Sequence, residues 1–253
     1  MVGCGGGGGG GGGNGDDGTD PPPADAYDGP TVTRAYQQGV GGYAGTRSVG
    51  ISTYGGLGGI GQYNANGMTF ADGLNDWCTG IDIPSGVYSE VWLLRFEDLG
   101  VPAGTRVVSA TLSIHGYGDG SPGLFFTGGY LARPWFGETP ESCAGCSSSP
   151  VGWRWANGSA DAWAALGAAG AGDTLAGKSL RLPAQGDVGT GSAPTELSAA
   201  LDPAVVQGWV DGASHGLRIV AGVSGHHMGY VQAQRNTGRP LEMRPKLTVV
   251  YAN

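Results

Sequence analysis

The chain has 253 residues, of which 53 are Gly, 13% are charged and 40% are hydrophobic. That is too few charges for a disordered chain and enough apolar residues for one core, and high Gly with scattered β-branched and aromatic runs favours an all-β domain rich in turns. The net charge of −8 gathers at the front: residues 1–29 hold five of the 21 acids and no Lys or Arg, which leaves the rest near −3, with no basic stripe for nucleic acid and no run of 18 apolar residues for a transmembrane helix.

Residues 1–29 read as a disordered tether. Cys4 precedes nine consecutive Gly and an acidic, Pro-rich stretch. A Gly run buries no side chain and loses the most backbone entropy on ordering, so it serves distance rather than packing, and the Pro triplet at 21–23 stiffens it locally. MVGC resembles the end of a bacterial lipoprotein signal, in which small residues precede a lipidated Cys. A chance Cys in a disordered tail is the plainer alternative. On the first reading Cys4 carries acyl chains, and the lipid is the only membrane contact.

Residues 30–253 read as one domain of short strands. TVTRAYQQ (31–38) and TRSVGIST (46–53) are strands separated by a turn-rich link. Residues 54–88 predict a long loop with one hairpin. EVWLLRF (90–96) is nearly all apolar, as a strand buried on both faces would be. In VVSATLSIH (107–115) alternation puts Val108, Ala110, Leu112 and Ile114 on one face. GLFFTGGYLAR (123–133) is a further strand, and 137–177 form a second long loop region with a CxxC and a Trp cluster. KSLRLPA and TELSAAL are short strands. DPAVVQGWVDG (202–212) predicts the one helix: Asp202 caps it, Pro203 suits its first turn, Val206 and Trp209 share a side, and Gly212 ends it. HGLRIVAGV, MGYVQAQ and PKLTVVYA (245–252) complete the sheets, the last alternating Leu247, Val249 and Tyr251 against Lys246, Thr248 and Val250.

Five segments in order resemble the DNRLRE-domain proteins, jelly-roll β-sandwiches related to carbohydrate-binding modules. They are YQQGVGGYAGT (36–46), SEVWLLRFEDLGVPAGTRVVSATLSIHG (89–116), RPWFGET with GWRWANGSADAWAALGAAGAGD (133–139 and 152–173), LDPAVVQGWVDGASHGLRI (201–219) and GYVQAQRNTGRPLEMRPKLTVVY (229–251). The resemblance covers nearly all of 31–252 and departs from the family at 54–88 and at CAGC. It implies a jelly-roll β-sandwich of two antiparallel sheets with one short helix and long loops, on a secreted or surface protein whose role is usually non-catalytic.

The residues themselves support no enzyme. GASHG (212–216) matches G-x-S-x-G, but that motif needs strand-then-helix and here the helix comes first. GLGGIG (56–61) is a chance match at this Gly frequency, with no helix after it. His226 and His227 would point to opposite faces on a strand, lack partners at ligand spacing, and read as a solvated turn rather than a metal site. Glu138 and Glu141 are read as solvated loop acids rather than a hydrolytic pair. In an exported protein Cys143 and Cys146 form a local disulfide, leaving Cys78 odd; a bridge from Cys78 to either is the rival. No cofactor is expected, although Asp72, Asn75 and Asp76 can offer oxygens to a structural Ca²⁺.

Binding remains. Sugar sites combine aromatic rings with polar side chains, and Trp153, Arg154, Trp155, Asn157, Asp161 and Trp163 fall within eleven positions. Trp135 and Trp163 read as core. Trp153 and Trp155 share a face if extended, and with Arg154, Asn157 and Asp161 they form the candidate ligand site; Tyr54, Tyr63 and Trp77 are a second cluster. The expected function is a non-catalytic, lipid-anchored surface domain, extracellular or on an outer membrane, that binds a polysaccharide or glycan, neutral rather than strongly anionic. A self-associating adhesive or filament subunit is the alternative, and a polysaccharide-active enzyme the third reading.

Overall fold

A computed structural model describes residues 27–52, 68–70, 76–82, 88–118, 125–135, 151–152, 154–157, 161–182, 195–222, 228–232 and 240–253. They form β1 (Thr31–Gln37), β2 (Thr46–Ser52), β3 (Met68–Phe70), β4 (Asp76–Asp82), β5 (Tyr88–Phe96), β6 (Val107–Gly118), β7 (Phe125–Leu131), β8 (Thr174–Arg181), β9 (Thr195–Leu201), α1 (Pro203–Val210), β10 (Leu217–Gly222), β11 (Met228–Gln232) and β12 (Lys246–Ala252). The described residues are all-β apart from α1 and one turn of 3-10 helix at Leu241–Met243.

The strands make two antiparallel sheets. Sheet I has the order β1-β12-β6-β9, and sheet II the order β2-β5-β10-β7-β8 with β3 outside β2. The chain crosses between sheets from β5 to β6, β6 to β7, β8 to β9 and β9 to β10, the alternation of a jelly roll. At one end β4 extends sheet II beside β5, β11 extends sheet I beside β6, and the two pair with each other, joining the layers. The 54–88 region is therefore more ordered than a loop with one hairpin: β3 and β4 lie in it, and the hairpin is β4 with β5.

Alternation explains the core. Leu112 and Ile114 of β6, and Leu247, Val249 and Tyr251 of β12, face Trp92, Leu94 and Phe96 of β5, Leu217 and Ile219 of β10, and Phe126 and Tyr130 of β7. The expectation for Val108 needs correction. Val250 pairs with Ser109 but Tyr251 pairs with Val107, so Val108 is the unpaired extra residue of a bulge in β6 and Val107 takes the buried place. At the edge of the core the buried Tyr36 and Tyr251 hydroxyls meet at 2.9 Å, and the Tyr43 ring packs edge-on to Tyr36 at 5.3 Å. Burial drives both the Tyr43 and Tyr251 hydroxyls far above the usual phenol range, so they stay protonated.

α1 forms as its sequence predicts. Asp202 accepts the Ala204 N–H at 2.9 Å, Pro203 occupies the first turn, and Val206, Trp209 and Val210 are buried. Gln207 fastens the helix to the start of β6: its Oε1 accepts the Val107 N–H at 2.8 Å and its Nε2 donates to the Thr105 carbonyl at 3.1 Å. Burial pushes the Asp202 carboxyl up, but the Lys178 ammonium and the Ala204 and Val205 N–H groups outweigh it and hold the group below its ordinary value. A depressed carboxyl stabilises the fold fully above its unfolded value of about 4 and stops doing so as pH falls through the folded value. Asp202→Asn keeps a capping oxygen and loses the charge. In urea titrations it is expected to be less stable than the parent by no more than about 1 kcal/mol at pH 7, because Lys178 is partly solvated, with the gap closing as pH falls through the folded value of the Asp202 carboxyl.

Candidate functional site

Sheet II is apolar on its outer face too: Val49, Ile51, Val91, Leu93, Leu131 and Val220 are buried there. The segment after β7 lies over this face as a plate, burying Trp135, Val151, Ala156, Trp163 and Ala168 against it. Trp135 and Trp163 are thus core, as expected, at 2% and 6% exposure.

A long connection laid on an apolar face must satisfy its own backbone. Asp173, fully buried, does much of this. Its carboxylate accepts the N–H groups of Ala164, Ala165 and Gly170 at 2.8, 3.0 and 2.9 Å. Arg133 adds a second tie: it donates to the Ala162 carbonyl at 2.7 Å, pairs with Asp161, lies 3.7 Å from Asp173 and sits over the Trp163 ring. Arg218 rises from β10 and donates to the Gly167 carbonyl at 2.8 Å. Arg95 lies 4.7 Å over the Trp135 ring, donates to the Trp135 carbonyl at 2.6 Å and pairs with Glu97, which also holds Arg47 at 3.3 Å.

The tip of the plate is a small hairpin. Trp155 bridges Ala162, the Trp163 N–H donates to the Arg154 carbonyl at 3.0 Å, and Trp163 Nε1 donates to the Gly152 carbonyl at 2.9 Å. On it Trp155 is half-buried, the exposed Arg154 stacks 5.4 Å from the Trp155 ring centre, and Asn157 is exposed. Asp161, the fourth described member of the candidate set, is tied to Arg133 and its carbonyl accepts the Ala156 N–H. The structure therefore groups Arg154, Trp155 and Asn157 at the surface and turns Asp161 toward the plate. Trp153 lies outside the described residues.

Cys4, Cys143 and Cys146, the acids Glu138 and Glu141, the pair His226 and His227, and GLGGIG also lie outside them, as do Tyr54, Tyr63, Asp72 and Asn75. The backbones of Asp76, Trp77 and Cys78 run in β4 opposite Gln232, Val231 and Tyr230. Among the described residues no group of three or more His, Cys, Asp or Glu is placed to hold a metal ion, and no helix is long and apolar enough to cross a membrane.

GASHG is a turn from α1 into β10. Ser214 Oγ donates to the Phe96 carbonyl at 2.9 Å, the His215 carbonyl accepts Trp135 Nε1 at 2.7 Å, and Gly216 has φ +82 with no room for a Cβ beside the Leu94 carbonyl. Burial, then the Arg95 charge, hold the His215 imidazole below its usual value, which keeps it neutral under the plate.

No protein-family model and no curated protein matches the chain.

The residues that sequence reasoning passed over are Arg95, Arg133, Asp173 and Arg218. Their signal was charge inside apolar or small-residue runs: Arg95 in EVWLLRF, Arg218 in GLRIVAG, and Asp173 closing an Ala/Gly stretch. Asp173→Ala removes a fully buried carboxylate and leaves three N–H donors without their acceptor. It is expected to cost about 3–5 kcal/mol in urea titration and to shift Trp emission to longer wavelength as Trp163 gains water.

Proposed function

We propose that this protein is a non-catalytic, DNRLRE-like surface domain that binds a neutral polysaccharide or glycan at the tip of its outer plate. The observation that carries the reading is Arg154 stacked on the half-buried Trp155 beside the exposed Asn157. With the guanidinium over one face, the part of the ring that stays exposed offers an apolar surface for the C–H face of a sugar, while that guanidinium and the Asn157 amide serve the hydroxyls. The hairpin bonds around Trp155 and Trp163 hold the platform on a buried plate, which limits the ordering cost of binding.

The neutral preference rests on charge. Outside residues 1–29 the chain carries 16 acids against 13 bases, so nothing draws in a strongly anionic polymer. Arg154 alone supplies one exposed cation at the platform, enough for hydroxyl hydrogen bonds. In this reading Cys4 bears the lipid, and residues 5–29 let the domain stand about 50 Å or less from the membrane on average.

The test is a glycan array probed with the full chain, repeated with Trp155→Ala and Arg154→Ala. Retention is expected on neutral glycans, weakened at least about tenfold by Trp155→Ala and several-fold by Arg154→Ala, with far-UV circular dichroism unchanged. Retention confined to uronic-acid polymers, or equal for all three proteins, would defeat the proposal.

A further inference from the structure

β1 ends sheet I, and among the described residues nothing pairs with its outer edge. The Asn253 N–H donates to the Pro30 carbonyl at 2.9 Å, which fixes the phase of the ladder. Val32, Arg34 and Tyr36, in phase with Pro30, direct their backbone groups to β12. Thr31, Thr33 and Ala35 therefore aim both N–H and C=O away from the sheet.

The edges at β2 and β8 are defended. At β2 the Thr46 N–H is taken by Gln38 Oε1 at 3.2 Å, and β3 covers Gly50 to Ser52. β8 has a register shift opposite Gly129, a left-handed Gly177 at φ +67, and Lys178 paired with Asp202. β9, paired on one side with β6, lies partly beside β8. β1 has none of these devices: its register with β12 is unbroken from Thr31 to Gln37, with no Pro, Gly or Lys inside it. It also exposes Val32, one of the few large apolar side chains that do so, at 40%.

We propose that β1 is a self-pairing edge, joining two copies of this chain antiparallel across a two-fold axis at Thr33. The inference is independent of the glycan reading. In that register Thr31, Thr33 and Ala35 meet the partner's Ala35, the partner's Thr33 and the partner's Thr31, and each of these pairs exchanges two backbone hydrogen bonds. Val32 meets the partner's Arg34 in the closer kind of pair. The Arg34 guanidinium is already drawn to the Gly100 carbonyl at 3.1 Å, which leaves its aliphatic stem to cover the valine. Threonine faces threonine, and no like charges are opposed. The edge is thus complementary to itself in side chains as well as backbone, which singles out a second copy as the occupant.

One strand pair buries less than the roughly 1,200 Å² of a durable interface, so the dimer depends on concentration. The experiment is sedimentation velocity on the unacylated full chain from about 5 to about 500 µM, a range that spans weak self-association. The wild type is expected to move from monomer to dimer. Thr33→Pro removes an outward N–H and leaves the β12 ladder intact, and Thr33→Lys sets two ammonium groups against each other across the axis. Both are expected to remain monomeric at the highest concentration with an unchanged urea midpoint. Should Thr33→Pro fail to fold, Thr33→Lys decides. A wild type that is monomeric throughout, or a dimer that survives Thr33→Lys, overturns the proposal.

Discussion

The architecture depends on β5 being buried on both faces. Trp92, Leu94 and Phe96 fill the space between the sheets, while Val91 and Leu93 are equally buried on the far side. A strand with apolar side chains on both faces cannot sit in a sheet that meets water. Sheet I is solvated outside, with Thr33, Ala35, Ser109 and Ser198 exposed there. Sheet II must be covered, and α1, the one α-helix among the described residues, lies against β6. The chain uses a coil instead, and coil carries unsatisfied peptide groups wherever it goes. Asp173, Arg133 and Arg218 answer that need: each is a charge used to hold main chain rather than to do chemistry.

This division assigns the charged residues around the plate. Arg95 and Glu97, Arg133 and Asp161, and Arg218 with the Gly167 carbonyl are all engaged within the molecule. Ser214 and His215, which a motif search would take for a nucleophile and its base, hold the ends of β5 and the plate together. Among the described residues of the plate, the half-buried Trp155, the exposed Arg154 and Asn157 beside it, and the exposed Leu166 face outward.

Much of the fold was legible because strands announce themselves through alternation. β12 reads as Leu247, Val249, Tyr251 in sequence and is buried in that pattern, and the cap, proline and apolar positions of α1 lie where local rules put them. Val108 misled because a bulge is a property of two strands at once: the slip opposite Val250 is invisible in β6 alone. β3 and β4 were missed because β3 is only three residues long, β4 mixes small and polar residues, and β4 takes one of its partners, β11, from far along the chain. At the site, the Trp-rich segment was visible as composition. Which of its members face water was not, because that depends on Arg133 reaching Asp161 from another element and on the apolar outside of sheet II.

β1 begins at Thr31, one residue after Pro30, whose carbonyl accepts the Asn253 N–H. Any tension transmitted through the preceding residues therefore enters the molecule by way of that strand. Pulled along its axis, β1 strains all its rungs with β12 together; pulled sideways, it gives them up one at a time from Thr31 inward. The same anchorage would be stubborn under drag parallel to the strand and yielding under a lift across it, a mechanical anisotropy set by where the first strand begins.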